Sequence, residues 1–387
     1  MIWKKSVWKG EEMMSDSLVG SIERLPRIPE AAADEFALSR GRIIEKVNSL
    51  MEARKDLAEL TGGSQISTVR DNHSNHANTM AVAFKLGSME LLARTAPWVY
   101  RAYTFHGFSP DYFPALFGIF REAVRSELSA DSASAIIRVY DWLLENHENI
   151  LSLRESVDRL PGDLDLAREQ ERTDFISALL AGDHSACISI ANEAVKNREN
   201  LTSFYLQIVQ PCMYEIGRMW ERGDISVAEE HLASAVAGRV MASLYSLVAG
   251  SERSKGSCVV SAAPNEHHEI GARMVSDLLE QDGWDVHYLG SNAEPAGLLS
   301  FVREKRPFFL ALSAALPFAL EGTGRIIQML RNDPETREVK VMTGGLAFAN
   351  SPDLWKKLGA DGYARDAAEA VKLAEEWRSR GDRRKSV

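Results

Sequence analysis

Residues 258–271 read Cys-Val-Val-Ser-Ala-Ala-Pro-Asn-Glu-His-His-Glu-Ile-Gly, an apolar run that stops at a proline and passes into a loop with two carboxylates, two imidazoles and a glycine. An almost wholly apolar run fits a strand buried on both faces, because only a sheet covered by helices on each side removes the need for polar alternation. Four more such runs follow, Val286 to Leu289, Phe308 to Leu312, Val339 to Met342 and Gly362 to Ala364, with helical spacing between them. That alternation predicts a flavodoxin-like, doubly wound parallel sheet over 256–380. Ligands of such sheets sit beyond the carboxyl ends of the strands, where the strand order reverses. Glu266, His268 and Gly271 fall in the first of those loops, Ser313 ends the third strand, and Gly344-Gly345 ends the fourth.

Ahead of a polar linker at 251–256, four helical patterns occupy 168–250: Gln170 to Ala181, Ser185 to Lys196, Leu201 to Arg222 and Val227 to Val248. Their separators are short, which predicts antiparallel neighbours in a four-helix bundle. Ser226-Val227-Ala228-Glu229 has the form of a capping box and sets the start of the last helix. From 33 to 165 the apolar spacing is again helical, predicting an all-α domain. Residues 1–32, which include Leu25-Pro26-Arg27-Ile28-Pro29, are expected to form a poorly ordered tail.

The chain has 387 residues, enough for two or three domains. A formal charge of −10 disfavours holding nucleic acid through its phosphates. Cys187, Cys212 and Cys258 lack CxxC spacing, which suits a reducing cytoplasmic setting better than a disulfide framework. No apolar stretch has the length of a membrane span or the form of a signal peptide, so a soluble protein is expected.

The pattern Glu266-x-His268-x-x-Gly271 resembles the DxHxxG signature of cobalamin-binding domains, with Glu in place of Asp. The resemblance implies that His268 displaces the dimethylbenzimidazole base and binds cobalt from below, with Glu266 holding its other ring nitrogen. It implies too that Gly271 admits the nucleotide tail, that Ser313 faces the buried base, and that Gly344 and Gly345 leave room for it. Such domains carry a four-helix cap, and Trp220-x9-Glu230-His231 is similar to the pattern of adenosylcobalamin photoreceptors of the CarH type. That likeness implies an upper pocket in which Trp220 shields the adenosyl group and Glu230 and His231 line the same space. One departure is Glu221, which stands where those photoreceptors have a histidine, and it puts a bis-histidine photoproduct in doubt.

In the N-terminal half, Ser109 to Arg121 and Val139 to His147 look like helices of a globin-like sensor fold. Its place before a cobalamin domain resembles the photocobilins and implies biliverdin as a second chromophore. No cysteine lies in this half, so any bilin would be held without a thioether bond. Candidate contacts are His73, His76, Arg101, Tyr103, His106 and Tyr112, with Trp98, Tyr100, Arg121 and Arg125 nearby in sequence. Haem binding, or an unliganded interaction domain, are the alternatives.

The reading that unites these expectations is a non-enzymatic light sensor. Photolysis of the Co–C bond of adenosylcobalamin would change cap packing and the state of a homo-oligomer, dimer or tetramer, and so signal to a separate effector. The alternative is a corrinoid shuttle protein carrying a methyl group on cobalt for a methyltransferase system. An adenosylcobalamin mutase subunit comes third, since no large substrate barrel is visible in the chain.

Overall fold

A computed structural model describes residues 17–154, 164–250, 252–349, 351 and 353–385. Among these, 17–154 with 221–223 form one compact unit, and 164–220 with 224–385 form the other.

Every regular element of 17–154 is helical: α1 (17–22), α2 (Glu30–Glu52), α3 (Leu57–Leu60), α4 (Ile66–Leu86), α5 (Glu90–Phe105), α6 (Tyr112–Glu127), α7 (Ala130–Glu145) and α8 (His147–Leu153). Helix α2 shows how the sequence produces this packing. Its buried residues Ala32, Phe36, Ser39, Ile43, Val47 and Met51 recur every three or four positions, a stripe that lies against α4, α6 and α7. The expected tail is corrected for its second half. Leu18, Val19 and Ile22 of α1 are buried in the same core, and Trp142 Nε1 donates to Ser21 Oγ at 2.9 Å. Residues 1–16 of that tail lie outside the described residues.

The second unit opens with α9 (Glu169–Leu180), α10 (His184–Ala194), α11 (Asn200–Phe204), a π-helical turn (Tyr205–Val209), α12 (Gln210–Glu221) and α13 (Val227–Leu244). Ser226 caps α13 as its sequence predicts: the Glu229 N–H donates to Ser226 Oγ at 3.2 Å and the Ser226 N–H to Glu229 Oε2 at 2.7 Å. The third helix differs from expectation, because the π turn interrupts what the spacing predicts as one continuous helix. Pro211 is the cause. It has no N–H to return to the carbonyl of Gln207 four residues earlier. That freed oxygen accepts instead from Arg172 Nη1 at 3.2 Å, and Arg172 is fully buried.

The chain then alternates: β1 (Ser257–Ala262), α14 (Ile270–Gln281), β2 (Asp285–Tyr288), α15 (Pro295–Lys305), β3 (Phe309–Ser313), α16 (Ala319–Asn332), β4 (Lys340–Gly344), α17 (Leu346–Ala349), α18 (Leu354–Lys357), β5 (Gly362–Ala364) and α19 (Ala367–Lys385). The strands are all parallel in the order β2-β1-β3-β4-β5, so the order reverses between β1 and β3. Apolar clusters cover both faces, one around Cys258, Leu279, Trp284 and Trp377, the other around Val259, Val302, Ile326 and Leu330. Within this unit the helical segments and the α/β part share a core: Met274 and Leu278 of α14 pack with Ile208 and Val240. Among the described residues no helix is long and apolar enough to cross a membrane.

Candidate functional site

The strand reversal puts the β1–α14 loop and the β3–α16 loop side by side, and Glu266 joins them. Its side chain is fully buried and accepts four N–H groups: at Oε1 from His268 Nδ1 (2.5 Å) and the His268 backbone (3.0 Å), at Oε2 from the backbones of Ala315 (2.7 Å) and Leu316 (3.1 Å). Burial pushes the carboxyl upward, but the His268 bond, its charge and the backbone donors outweigh this and hold the group below the usual carboxylate range. The His268 ring moves the opposite way. Its bond to Glu266 raises it against a smaller lowering by burial, and the charges of Glu266 and of Glu230 on α13 add to the rise. The ring stays 56% exposed, with Nδ1 committed to Glu266. In the neutral ring this keeps the proton on Nδ1 and leaves the lone pair on Nε2, the state that a metal-binding imidazole needs.

The strand ends beneath are lined with small residues. Register aligns Ala262 with Ser313, Ser313 with Gly344, and Gly344 with Ala364, so one row of short side chains runs across β1, β3, β4 and β5. Gly271, in the first turn of α14, faces the same row: a Cβ there would lie 3.7 Å from Ser313 Oγ. Gly345 has φ of +97°, and a Cβ on it would come within 2.2 Å of the Ala314 oxygen. A Cβ on Gly344 would lie 2.8 Å from the Ala364 oxygen. These residues suit cobalamin in two respects: an imidazole oriented by a buried carboxylate, and a cleft floor without bulky side chains at the topological switch point.

The residues expected on the opposite side come from the helical segments. Trp220 packs half-buried against their core. Glu230 accepts from Ser234 Oγ at 2.8 Å and pairs with His231 Nδ1 at 2.6 Å, while the His231 side chain stays 74% exposed. Glu230 and His268 are thus brought near enough to interact electrostatically.

Sequence reasoning missed Asn265 and Asn292. Asn292 Oδ1 accepts from the Asn265 N–H at 3.0 Å, and the Asn292 N–H donates to Glu266 O at 3.0 Å. The available signal was the turn-like run Gly290-Ser291-Asn292 after the second strand.

The proposed bilin contacts belong to the other unit, where they do not share one surface. His73 and Tyr112 are interior and stack at 6.4 Å, and His73 Nδ1 donates to Asn48 Oδ1 at 2.6 Å. His76 lies among Phe117, Phe120 and Tyr140. Burial pushes His73 down to about 4 and His76 to about 3, so both rings are neutral. Tyr103 packs on Phe108 and Phe113, Arg101 is buried, and His106 is exposed at the end of α5. Tyr100 stacks on Phe113 at 3.6 Å and Phe120 on Tyr140 at 5.5 Å, so aromatic side chains around these candidates pack on one another.

Two models of the B12 binding domain match the chain, at residues 256–372 and 171–245. Dimethylamine corrinoid protein 3 of Methanosarcina acetivorans is 31% identical over 166 residues, covering 42% of this chain and 76% of the relative. Dimethylamine corrinoid protein 3 of Methanosarcina mazei is 32% identical over 167 residues, covering 42% of this chain and 98% of the relative. The solved monomethylamine corrinoid protein of Methanosarcina barkeri is 20% identical with a TM-score of 0.48, and the match covers 54% of this chain and 99% of that one. This chain therefore belongs to the B12-binding corrinoid protein family.

These relatives correct the light-sensor expectation, for they are corrinoid proteins named after methylated amines. The photoreceptor resemblance drawn from Trp220, Glu230 and His231 does not extend to function. Biliverdin and the adenosyl form of the cofactor find no support either, and neither match reaches residues 17–154.

Proposed function

We propose that this protein is a corrinoid shuttle that carries a methyl group between partner enzymes and performs no turnover by itself. The observation that supports the reading most is the Glu266–His268 pair at the switch point, in a chain whose relatives are dimethylamine corrinoid proteins. When bound, the corrinoid supplies a cobalt centre able to accept and release a methyl group.

The work of the chain is to hold that group. His268 would offer Nε2 to the metal, and Glu266 keeps the ring's other nitrogen protonated and its plane fixed. Gly271, Ser313, Gly344 and Gly345 line the groove for the nucleotide tail. Trp220, Glu230 and His231 would hold the side away from His268, where an apolar ring and a carboxylate–imidazole pair could receive a small ligand of the metal. A separate methyltransferase must reach that side for transfer to occur, so the helical segments that carry these residues have to give way.

The test is transfer of isotope from a methyl-labelled amine to the reduced, cobalamin-loaded protein, in the presence of a dimethylamine-specific methyltransferase. Label recovered with the protein supports the shuttle. No label, together with retention of adenosylcobalamin alone, overturns it.

A further inference from the structure

Among the described residues three non-glycine positions have a left-handed backbone, and two of them, Asn265 (φ 61°) and Asn292 (φ 52°), meet beside the histidine loop. Asparagine tolerates this region better than most residues, yet the conformation still costs energy and persists only where its surroundings hold it. What holds it here is a closed pair of hydrogen bonds. The Asn265 N–H donates to Asn292 Oδ1, and the Asn292 N–H donates to Glu266 O, both at 3.0 Å. Residue 292 thus grips two consecutive residues of the β1–α14 loop with its side chain and its backbone. Two neighbouring bonds extend the seam: Ala262 N–H to Gly290 O at 2.9 Å, and Tyr288 Oη–H to Glu269 O at 3.3 Å.

The Glu266 side chain ties the loop to β3–α16, while Asn292 ties the same loop to β2–α15. The direction of the His268 ring follows from Glu266, and the backbone of Glu266 is held at its oxygen by Asn292. We propose that Asn292 is a positioning residue that sets the aim of the His268 imidazole toward a bound corrinoid. This inference rests on the reading of His268 as the lower ligand. Residue 292 is not one of the groove residues, so substitution there acts through the loop it holds.

Three variants separate the parts of the clamp. Asn292→Gly keeps the left-handed backbone and deletes the acceptor; Asn292→Ala loses both; Asn292→Asp keeps an acceptor oxygen on a side chain that also tolerates the conformation. Each is loaded with cobalamin, and the fraction with histidine on cobalt is read from the visible spectrum and from the nitrogen splitting in the electron paramagnetic resonance of the cobalt(II) state. His268→Ala serves as the reference for complete loss. Asn292→Gly is expected to lower the ratio of histidine-on to histidine-off corrinoid about fivefold, the order of one hydrogen bond, Asn292→Ala by more, and Asn292→Asp to restore the parent ratio. A purely structural role would lower melting temperature in step with binding and leave the spectrum of the bound fraction unchanged, and that result overturns the proposal. If His268→Ala itself leaves the spectrum of the parent, the ligand assignment fails instead.

Discussion

The Tyr205 hydroxyl donates to Asp277 Oδ2 at 2.6 Å, a buried bond between the π-helical turn and α14. It ties the helical segments to the α/β part within one unit, close to where Gln281 Nε2 donates to Arg198 O at 3.0 Å and Arg273 Nη1 to Gly238 O at 3.1 Å. The carboxyl itself is uncomfortable there. Burial pushes Asp277 up from 3.8 to about 6, with Glu280 adding to the rise, and the Tyr205 bond and the charge of Arg273 offset only part of it.

A carboxyl raised in the folded state stabilises the fold while it is protonated, and that contribution is lost as pH climbs through the folded value. The shift from 3.8 to about 6 corresponds to about 3 kcal/mol. Urea unfolding of the parent and of Asp277→Asn at several pH values is expected to show the parent losing stability relative to the variant between pH 4 and pH 6. A constant difference across that window contradicts the assignment.

Glu266→Ala removes the acceptor of four N–H groups in a buried setting. Leaving the Ala315 and Leu316 amides unpaired is expected to cost the cofactor-free protein about 3 kcal/mol. Equilibrium denaturation checks this, and a loss below about 0.5 kcal/mol, the ordinary size of a surface change, counts against the buried network.

Gly345→Ala forces a Cβ to 2.2 Å from the Ala314 oxygen at a φ of +97°. The expected outcome is a loss of about 1–3 kcal/mol from backbone strain, and cobalamin binding weakened because the β3–α16 and β4–α17 loops must part. Calorimetry and equilibrium dialysis with hydroxocobalamin give the two readings. Unchanged values in both contradict the close approach.

Much of this architecture was legible beforehand because it rests on local rules. The five apolar runs became five parallel strands, since runs without polar alternation can be satisfied only inside a covered sheet. Ser226 and Glu229 marked the start of α13 through a hydrogen-bond exchange within four residues. What escaped was non-local. Pro211 breaks the third expected helix of 168–250 through an oxygen that Arg172, 35 residues from Gln207, then takes up. Asn292 reaches Asn265 across 27 residues, and only the sheet order puts them together. In the N-terminal unit the same aromatic residues serve a chromophore slot or a packed core equally well on paper. Their stacking on each other is a tertiary fact, as is the burial of Leu18 and Ile22 in a stretch expected to be a tail.

The Arg172 prediction follows from that break. Arg172→Met keeps the volume and deletes the donors to Gln207 O and Asp165 O. Loss of the charged donors from a buried position is expected to cost about 1–3 kcal/mol, and Pro211→Ala in the same chain should recover part of it by offering Gln207 O a backbone N–H. Thermal unfolding of the single and double variants checks the order; a double variant no more stable than Arg172→Met contradicts it.

The account turns on a single imidazole, and one measurement reaches it directly: the visible spectrum of hydroxocobalamin bound to the parent protein and to His268→Ala. The parent is expected to show a corrinoid with its own base displaced and a protein nitrogen in its place, and His268→Ala is expected to lose that signature or the cofactor altogether. Identical spectra with equal retention would contradict the account.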